Sequence, residues 1–355
     1  VSVVSEPGVG VPVLSLRELS VLLPVRPGNI FRSRSVPVLN GVSLDIHAGE
    51  IFCLVGESGA GKTTLLDVIL GFCVVRKGTI RFRGREVEQG RGPGRLQLNR
   101  STQVVFQDPV ASLSPFRPLG RSIVEPLQAR GADRAEMRKT VRQLCRRMQI
   151  PRSLLRRRPS QVSAGQAQKI CIARALSTAP DLLLLDEPLS ALDNPACQET
   201  TMLLCRLQRE YGLTCLLVSH DLRLVRAMAT TVAVLYLGRI VEQGPADSFF
   251  ERPAHPYSRA LLSSALVPGL WPGQRIVLEG EMPSPLNAPA GCPFHPRCPE
   301  RYSRCSRMPP PLRHVRPNHF VLCHRAGQGS SVQTATGHIA ELECCEQLRS
   351  SQRPC

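Results

Sequence analysis

Between Leu14 and Gly71 the apolar and polar positions change in the short steps of β structure. Leu16-Arg17-Glu18-Leu19 leads to Val38-Leu39, and Val42-Ser43-Leu44-Asp45-Ile46 alternates apolar with polar. This patterning, broken by turn residues, predicts half-buried strands. Ile51-Phe52-Cys53-Leu54-Val55 is instead a continuous apolar run, as expected of a strand covered on both faces, and Lys62–Leu70 after it reads as a helix. Leu182–Leu185 and Cys215–Val218 are two more short buried strands, while Val124–Leu155 has helix-compatible spacing and many arginines. The order predicts an α/β core over residues 14–264, with an antiparallel β piece near its start and a helical insert around residues 108–175. Beyond Ser264 the prolines at 268, 272, 283, 285, 289, 293, 296 and 299 break regular structure. A boundary is therefore placed there, with an irregular extension over residues 265–325 and a polar tail, expected to be disordered, over 326–355.

Composition changes this picture little. The 355 residues are 42% hydrophobic and 21% charged, ordinary for a globular chain with a sizeable core. The apolar runs fall well short of the roughly 20 residues that span a bilayer, and Val1–Leu14 shows no cationic segment ahead of an apolar one. The expectation is a cytosolic chain that does not cross a membrane by itself. A net charge of +17 would ordinarily suggest a polyanionic partner. However, the basic residues are nearly all scattered arginines, with only Lys62, Lys77, Lys139 and Lys169 as lysines, and 4% aromatic content leaves few platforms for stacking bases. No nucleic acid partner is expected.

Gly56-Glu57-Ser58-Gly59-Ala60-Gly61-Lys62-Thr63 matches the phosphate loop G-x-x-x-x-G-K-[ST] between a strand and a helix, with Thr64 continuing the helix. Glycines let backbone N–H groups close around phosphates, the helix N-terminus adds positive potential, Lys62 is expected to reach the β- and γ-phosphates, and Thr63 to offer a hydroxyl to Mg²⁺. Leu182–Leu185 runs into Asp186 and Glu187. Neighbours in a strand point to opposite sides, so the two acids can hold different tasks: Asp186 as the Mg²⁺ partner and Glu187 as the group that polarises an attacking water.

Further features follow in a fixed order: Val104-Val105-Phe106-Gln107-Asp108-Pro109, Ser163-Ala164-Gly165-Gln166, Ser190-Ala191-Leu192-Asp193 and Ser219-His220-Asp221. Together with the phosphate loop this set resembles the nucleotide-binding subunits of ABC transporters, over about residues 14–325. The resemblance implies a P-loop NTPase core of ABC type that hydrolyses MgATP. It makes Gln107 a sensor of Mg²⁺ and of the membrane subunit, and His220 a contact of the γ-phosphate. Ser163, Gly165 and Gln166 become the signature motif and Asp193 part of the following loop. It also implies a head-to-tail pair in which one subunit's signature closes over nucleotide held by the other. Val162 and Ala164 depart from the family's L-S-G-G-Q, and the added methyl of Ala164 is expected to slow the site it completes. That asymmetry suggests pairing with a different ATPase subunit. Phe31 is the nearest candidate for stacking on adenine, with packing in the loop as its other reading.

Gln107-Asp108-Pro109 with Ser112-Leu113-Ser114-Pro115, His255-Pro256-Tyr257, Gly280-Glu281 and Pro283-Ser284-Pro285 resemble the oligopeptide, dipeptide and nickel importer branch. This implies membrane permease subunits, an extracytoplasmic solute-binding protein acting through them, and a place on the cytoplasmic face of the membrane. Two other readings stay open at this level: a regulatory, weakly catalytic ABC subunit with a redox-sensing cluster, and a soluble ABC ATPase outside transport. Cys292, Cys298, Cys305 and Cys323 lie in a segment too poor in apolar residues to build much core, where metal ligation would supply cross-links. Four thiolates suit a [4Fe–4S] cluster or Zn²⁺, and simple reduced thiols remain a third reading. The resemblance implies the cluster.

Overall fold

The computed structural model describes residues 10–25, 34–265 and 275–326. The candidate Phe31 and nearly all of the 326–355 tail lie outside these residues.

A four-stranded antiparallel sheet is built from β1 (Leu14–Val25), β2 (Arg34–Ile46), β4 (Lys77–Phe82) and β5 (Arg85–Glu86), in the order β2-β1-β4-β5. An eight-stranded sheet combines β3 (Ile51–Val55), β6 (Thr102–Val105), β7 (Leu182–Asp186), β8 (Cys215–Val218), β9 (Thr231–Tyr236), β10 (Arg239–Pro245), β11 (Leu312–Arg316) and β12 (His319–Leu322). Its order is β11-β12-β10-β9-β3-β8-β7-β6, with the pairs among β9, β3, β8, β7 and β6 parallel.

The period of two decides where the core goes. Phe52, Leu54, Leu182, Leu184, Leu216, Val218, Ala233 and Leu235 face the antiparallel sheet and helix α1 (Lys62–Leu70). Their strand neighbours Ile51, Cys53, Val55, Leu183, Leu185, Cys215, Leu217, Val232 and Val234 face a second layer. Covered on both sides, the three central strands β3, β7 and β8 are buried at every position, which is why they read as unbroken apolar runs.

After α1 come α2 (Pro93–Ser101), then α3 (Leu119–Ala129) and α4 (Arg134–Arg147), two short 3₁₀ turns, and α5 (Ala164–Leu176). Thus the arginine-rich stretch does form helices between β6 and β7. Leu119, Ile123 and Leu127, one turn apart on α3, are its buried face. Two further helices, α6 (Asn194–Tyr211) and α7 (Leu222–Met228), return the chain to the sheet, and α8 (Ala246–Glu251) and α9 (Pro256–Ser264) follow β10. Among the described residues no helix is long and apolar enough to cross a membrane.

Residues 275–326 carry little regular structure, but the β11–β12 hairpin adds to the sheet, with β12 antiparallel to β10 (Glu242↔Val321, Gln243↔Phe320). Cys292, Phe294, Cys298 and Cys305 join the same apolar cluster as Leu183 and Val234. Beneath the hairpin Glu242 is buried and 2.7 Å from His319 Nε2, and it accepts hydrogen bonds from the N–H groups of Ala254 and His255. Burial pushes the Glu242 carboxyl up, but these hydrogen bonds outweigh it and hold the group below its ordinary range.

Candidate nucleotide site

The phosphate loop joins β3 to α1 and is wedged between strands. A Cβ on Gly56 would stand 2.3 Å from the Leu235 carbonyl oxygen of β9, and one on Gly61, whose φ is 107°, would meet the Val38 carbonyl of β2 at 2.9 Å. Only glycine fits these two positions. α1 begins directly after Gly61 with no side-chain cap, so its first-turn N–H groups, including those of Lys62, Thr63 and Thr64, have no partner within the helix. They point positive potential at whatever the loop encloses. Lys62 is buried, and its Nζ donates to the carbonyls of Gly56 (2.8 Å) and Glu57 (2.9 Å), which centres the ammonium in the loop. Burial lowers its pKa, opposed by the negative charges of Glu187, Asp186 and Glu57. Ser58, Gly59 and Thr63 are exposed, while Ala60 is buried beneath the loop.

The two acids at the end of β7 diverge, but not by the alternation of a strand, because β7 stops at Asp186 and Glu187 takes a positive φ. Asp186 is buried, its Oδ1 has no hydrogen-bond partner, and its carboxyl is pushed up to about 6, first by burial and then by the charge of Glu187. An orphaned carboxylate oxygen of this kind fits a cation ligand. With the exposed Thr63 hydroxyl at the start of α1, the donor set is the hard-oxygen chemistry that Mg²⁺ takes.

Glu187 has left the strand with φ 43°, a region costly for a residue with a Cβ and usually retained where function requires it. Its amide still bonds to the Val218 carbonyl at 2.9 Å. The carboxylate is thereby presented to two other loops: Gln107 Nε2 donates to Oε2 at 3.4 Å, and His220 Nδ1 lies 3.1 Å from the same oxygen. Gln107, Glu187 and His220, far apart in sequence, thus converge on one atom. Gln107 meets Glu187 here, not Asp186.

Ser163 caps α5. Its Oγ accepts from Gln166 N–H while the Gln166 side chain accepts from Ser163 N–H, a reciprocal capping box. Asp193 caps α6 by accepting from Ala196 N–H at 2.9 Å, and a Cβ on Gly165 would lie 3.0 Å from the Ala196 methyl. The Ser163–Gln166 and Asp193 segments are therefore packed together by their helix starts. Sequence reading missed Gln168. It is fully buried, and its Nε2 bonds to the Pro188 carbonyl at 2.7 Å, tying α5 to the residue after Glu187. Its only signal was a polar residue at a core-facing position of a helix.

Two residues from far along the chain also reach the phosphate loop. The Tyr257 hydroxyl accepts from Glu57 N–H at 2.9 Å, and Arg297 Nη1 donates to both Glu57 carboxylate oxygens at 3.1 and 3.0 Å. The four cysteines of the extension line one small enclosed cavity together with Phe294 and His324. Burial pushes the Cys292 thiol up to about 11 and that of Cys298 up to about 12. Among the described residues no group of three or more His, Cys, Asp or Glu side chains is arranged to hold a single metal ion.

Comparison with known proteins places this geometry. Residues 39–190 match the family model described as ABC transporter, and residues 241–305 match the oligopeptide/dipeptide transporter C-terminal region. The di/tripeptide transport ATP-binding protein DppF of Pseudomonas aeruginosa is 39% identical over 320 residues, 89% of this chain and 98% of the relative. A Brucella ovis ATP-binding protein named for peptide import is 40% identical over 318 residues, 88% and 98% of the two chains. Among solved structures, cbiO1 of Clostridium perfringens, part of the transporter complex cbiONQ, superposes with a TM-score of 0.59 at 28% identity, covering 68% of this chain and 91% of that one. A dimeric post-hydrolysis state of the cassette MJ0796, bound to ADP and Pi, gives 0.57 at 26% identity, covering 66% and 98%.

Proposed function

This chain belongs to the ABC transporter ATP-binding family and is an ATPase, and on that premise we propose that it powers import of peptides through separate membrane permease subunits. The observation that carries the hydrolytic part is the convergence of Gln107 and His220 on Glu187 Oε2 beside the phosphate loop. Peptide as cargo is supported by the names of the relatives and by the match over residues 241–305.

The residues divide the work. Gly56–Thr64 bind the polyphosphate through loop and helix N–H groups, and Lys62 offsets charge that develops on the transferred phosphoryl group. Glu187 accepts a hydrogen bond from the attacking water, and His220 and Gln107 hold its carboxylate in place. Asp186 and Thr63 would hold Mg²⁺, which neutralises phosphate charge and fixes its orientation. Ser163, Gly165, Gln166 and Asp193 are assigned to the partner subunit's nucleotide, at helix starts whose positive potential suits phosphate. Ala164, in place of the family's glycine, makes one composite site slower, in keeping with a heterodimer on the cytoplasmic face of the membrane. The solute-binding protein acts from the other side.

We further assign Cys292, Cys298, Cys305 and Cys323 to a [4Fe–4S] cluster. The four thiols line one cavity, where burial is the main cause that pushes those of Cys292, Cys298 and Cys323 up. A cationic iron core would reverse that penalty.

Co-expression with its permease subunits and second ATPase tests the transport reading. The expected result is one copy of this chain per complex by native mass, and ATP turnover stimulated by peptide-loaded binding protein. A complex with two copies removes the heterodimer, and turnover indifferent to peptide removes the cargo.

A further inference from the structure

Glu57 is out of place electrostatically. It puts a carboxylate inside a loop whose other features attract polyphosphate, and Lys62 already feels its charge. The extension answers it. Arg297, with only 9% of its side chain exposed, spans both carboxylate oxygens through one nitrogen. Glu57 is thereby held at three points: its carboxylate by Arg297, its N–H by the Tyr257 hydroxyl, and its carbonyl by Lys62. Nearby, a Cβ on the exposed Gly59 would come within 3.4 Å of the Met282 methyl, so the extension also passes close to a second residue of the loop.

The other end of this tether is the cysteine loop. Arg297 closes the short turn His295–Arg297, immediately before Cys298. Its amide bonds to the Phe294 carbonyl, and the Cys298 amide to that of His295. Phe294 is fully buried, 5.2 Å from the Tyr236 ring and 5.4 Å from the Tyr257 ring, so the turn is anchored to the same tyrosine that holds Glu57 N–H.

We propose that Arg297 is a positioning residue for the phosphate loop, neutralising Glu57 and drawing it aside, and that it couples nucleotide binding to the Cys292–Cys298 loop. Coupling is reciprocal: whatever nucleotide does to the loop, a change in the loop does to nucleotide affinity. The inference rests on ATP binding and is independent of the iron–sulfur assignment.

The test uses the full chain with Arg297→Met, Arg297→Lys, Glu57→Gln and the Arg297→Met/Glu57→Gln pair. Arg297→Met is expected to raise the MgATP Kd and KM about three- to tenfold while kcat changes less, the range of one charged hydrogen-bonded pair. Arg297→Lys falls between, and adding Glu57→Gln restores affinity because the unpaired carboxylate is gone. An unchanged Kd, or losses that simply add in the double variant, overturns the proposal. A second measurement needs no variant. Hydrogen–deuterium exchange of the backbone amides over residues 292–298, which reads the loop whether or not its thiols carry a metal, is expected to change severalfold in rate when MgATP is added, and equal rates with and without it refute the coupling.

Discussion

The phosphate loop and the cysteine loop both touch Tyr257, yet they hold their shapes by different means. The phosphate loop takes its shape chiefly from its own residues: glycines at 56 and 61 that let it pass the carbonyls of β9 and β2, a lysine folded onto its own loop carbonyls, and a helix that starts uncapped. The cysteine loop has almost no regular structure, and distant side chains fix it. Phe294 is set among Tyr236, Tyr257 and His255, Arg297 on Glu57, and Arg259 on Glu300. A site built from local backbone can be moved between folds as a short motif. One built from anchors exists only where the rest of the fold supplies them.

The largest effect expected from disturbing this contrast is chemical and confined to the first region. Glu187→Gln is expected to keep nucleotide binding and lose turnover by about 10²–10⁴-fold, the usual contribution of a positioned general base. Near-normal hydrolysis in a phosphate-release assay would remove Glu187 from its role. In the second region Cys298→Ala is expected to abolish the iron and acid-labile sulfide recovered with anaerobically purified protein. Wild-type protein lacking both would remove the cluster.

The smallest effect lies where the two regions meet. His255 is buried, and its Nδ1 accepts from Tyr257 N–H at 3.0 Å, so it must stay neutral. Burial lowers its pKa to about 4, with Glu242 opposing the shift and Arg259 reinforcing it. The unfolded chain takes up this proton near pH 6.5 and the folded chain does not until about 4. Its contribution is therefore complete above pH 6.5 and lost progressively as pH falls towards 4, by up to about 3 kcal/mol. Urea unfolding midpoints across that window measure it. His255→Asn, which keeps an acceptor for Tyr257 N–H, is expected to flatten the slope, and an unchanged slope would assign it to other groups.

Much of the nucleotide side was legible in the chain. The Ile51–Val55 strand and the Lys62–Leu70 helix fall where apolar runs and the glycine motif place them, and the acid pair closes the Leu182–Leu185 run, although the positive φ that turns Glu187 away from Asp186 was not legible. The β11–β12 hairpin, Gln168 on Pro188 and Arg297 on Glu57 were not legible. The first consists of strands of only five and four residues, broken by Arg313, His314 and Arg316, too short for a period to show. In the other two, the partners are 20 and 240 positions apart, and no periodicity spans that distance.

The sequence by itself determined the phosphate loop, the carboxylate pair and the helix starts, because each depends on the conformational limits of a few adjacent residues. Only the tertiary structure decided that Gln107 and His220 share one oxygen of Glu187, and that an arginine of the cysteine loop clasps the phosphate loop. Those meetings are made by the order of strands in a sheet, and strand order is set by which faces can be buried together, a property of the whole chain.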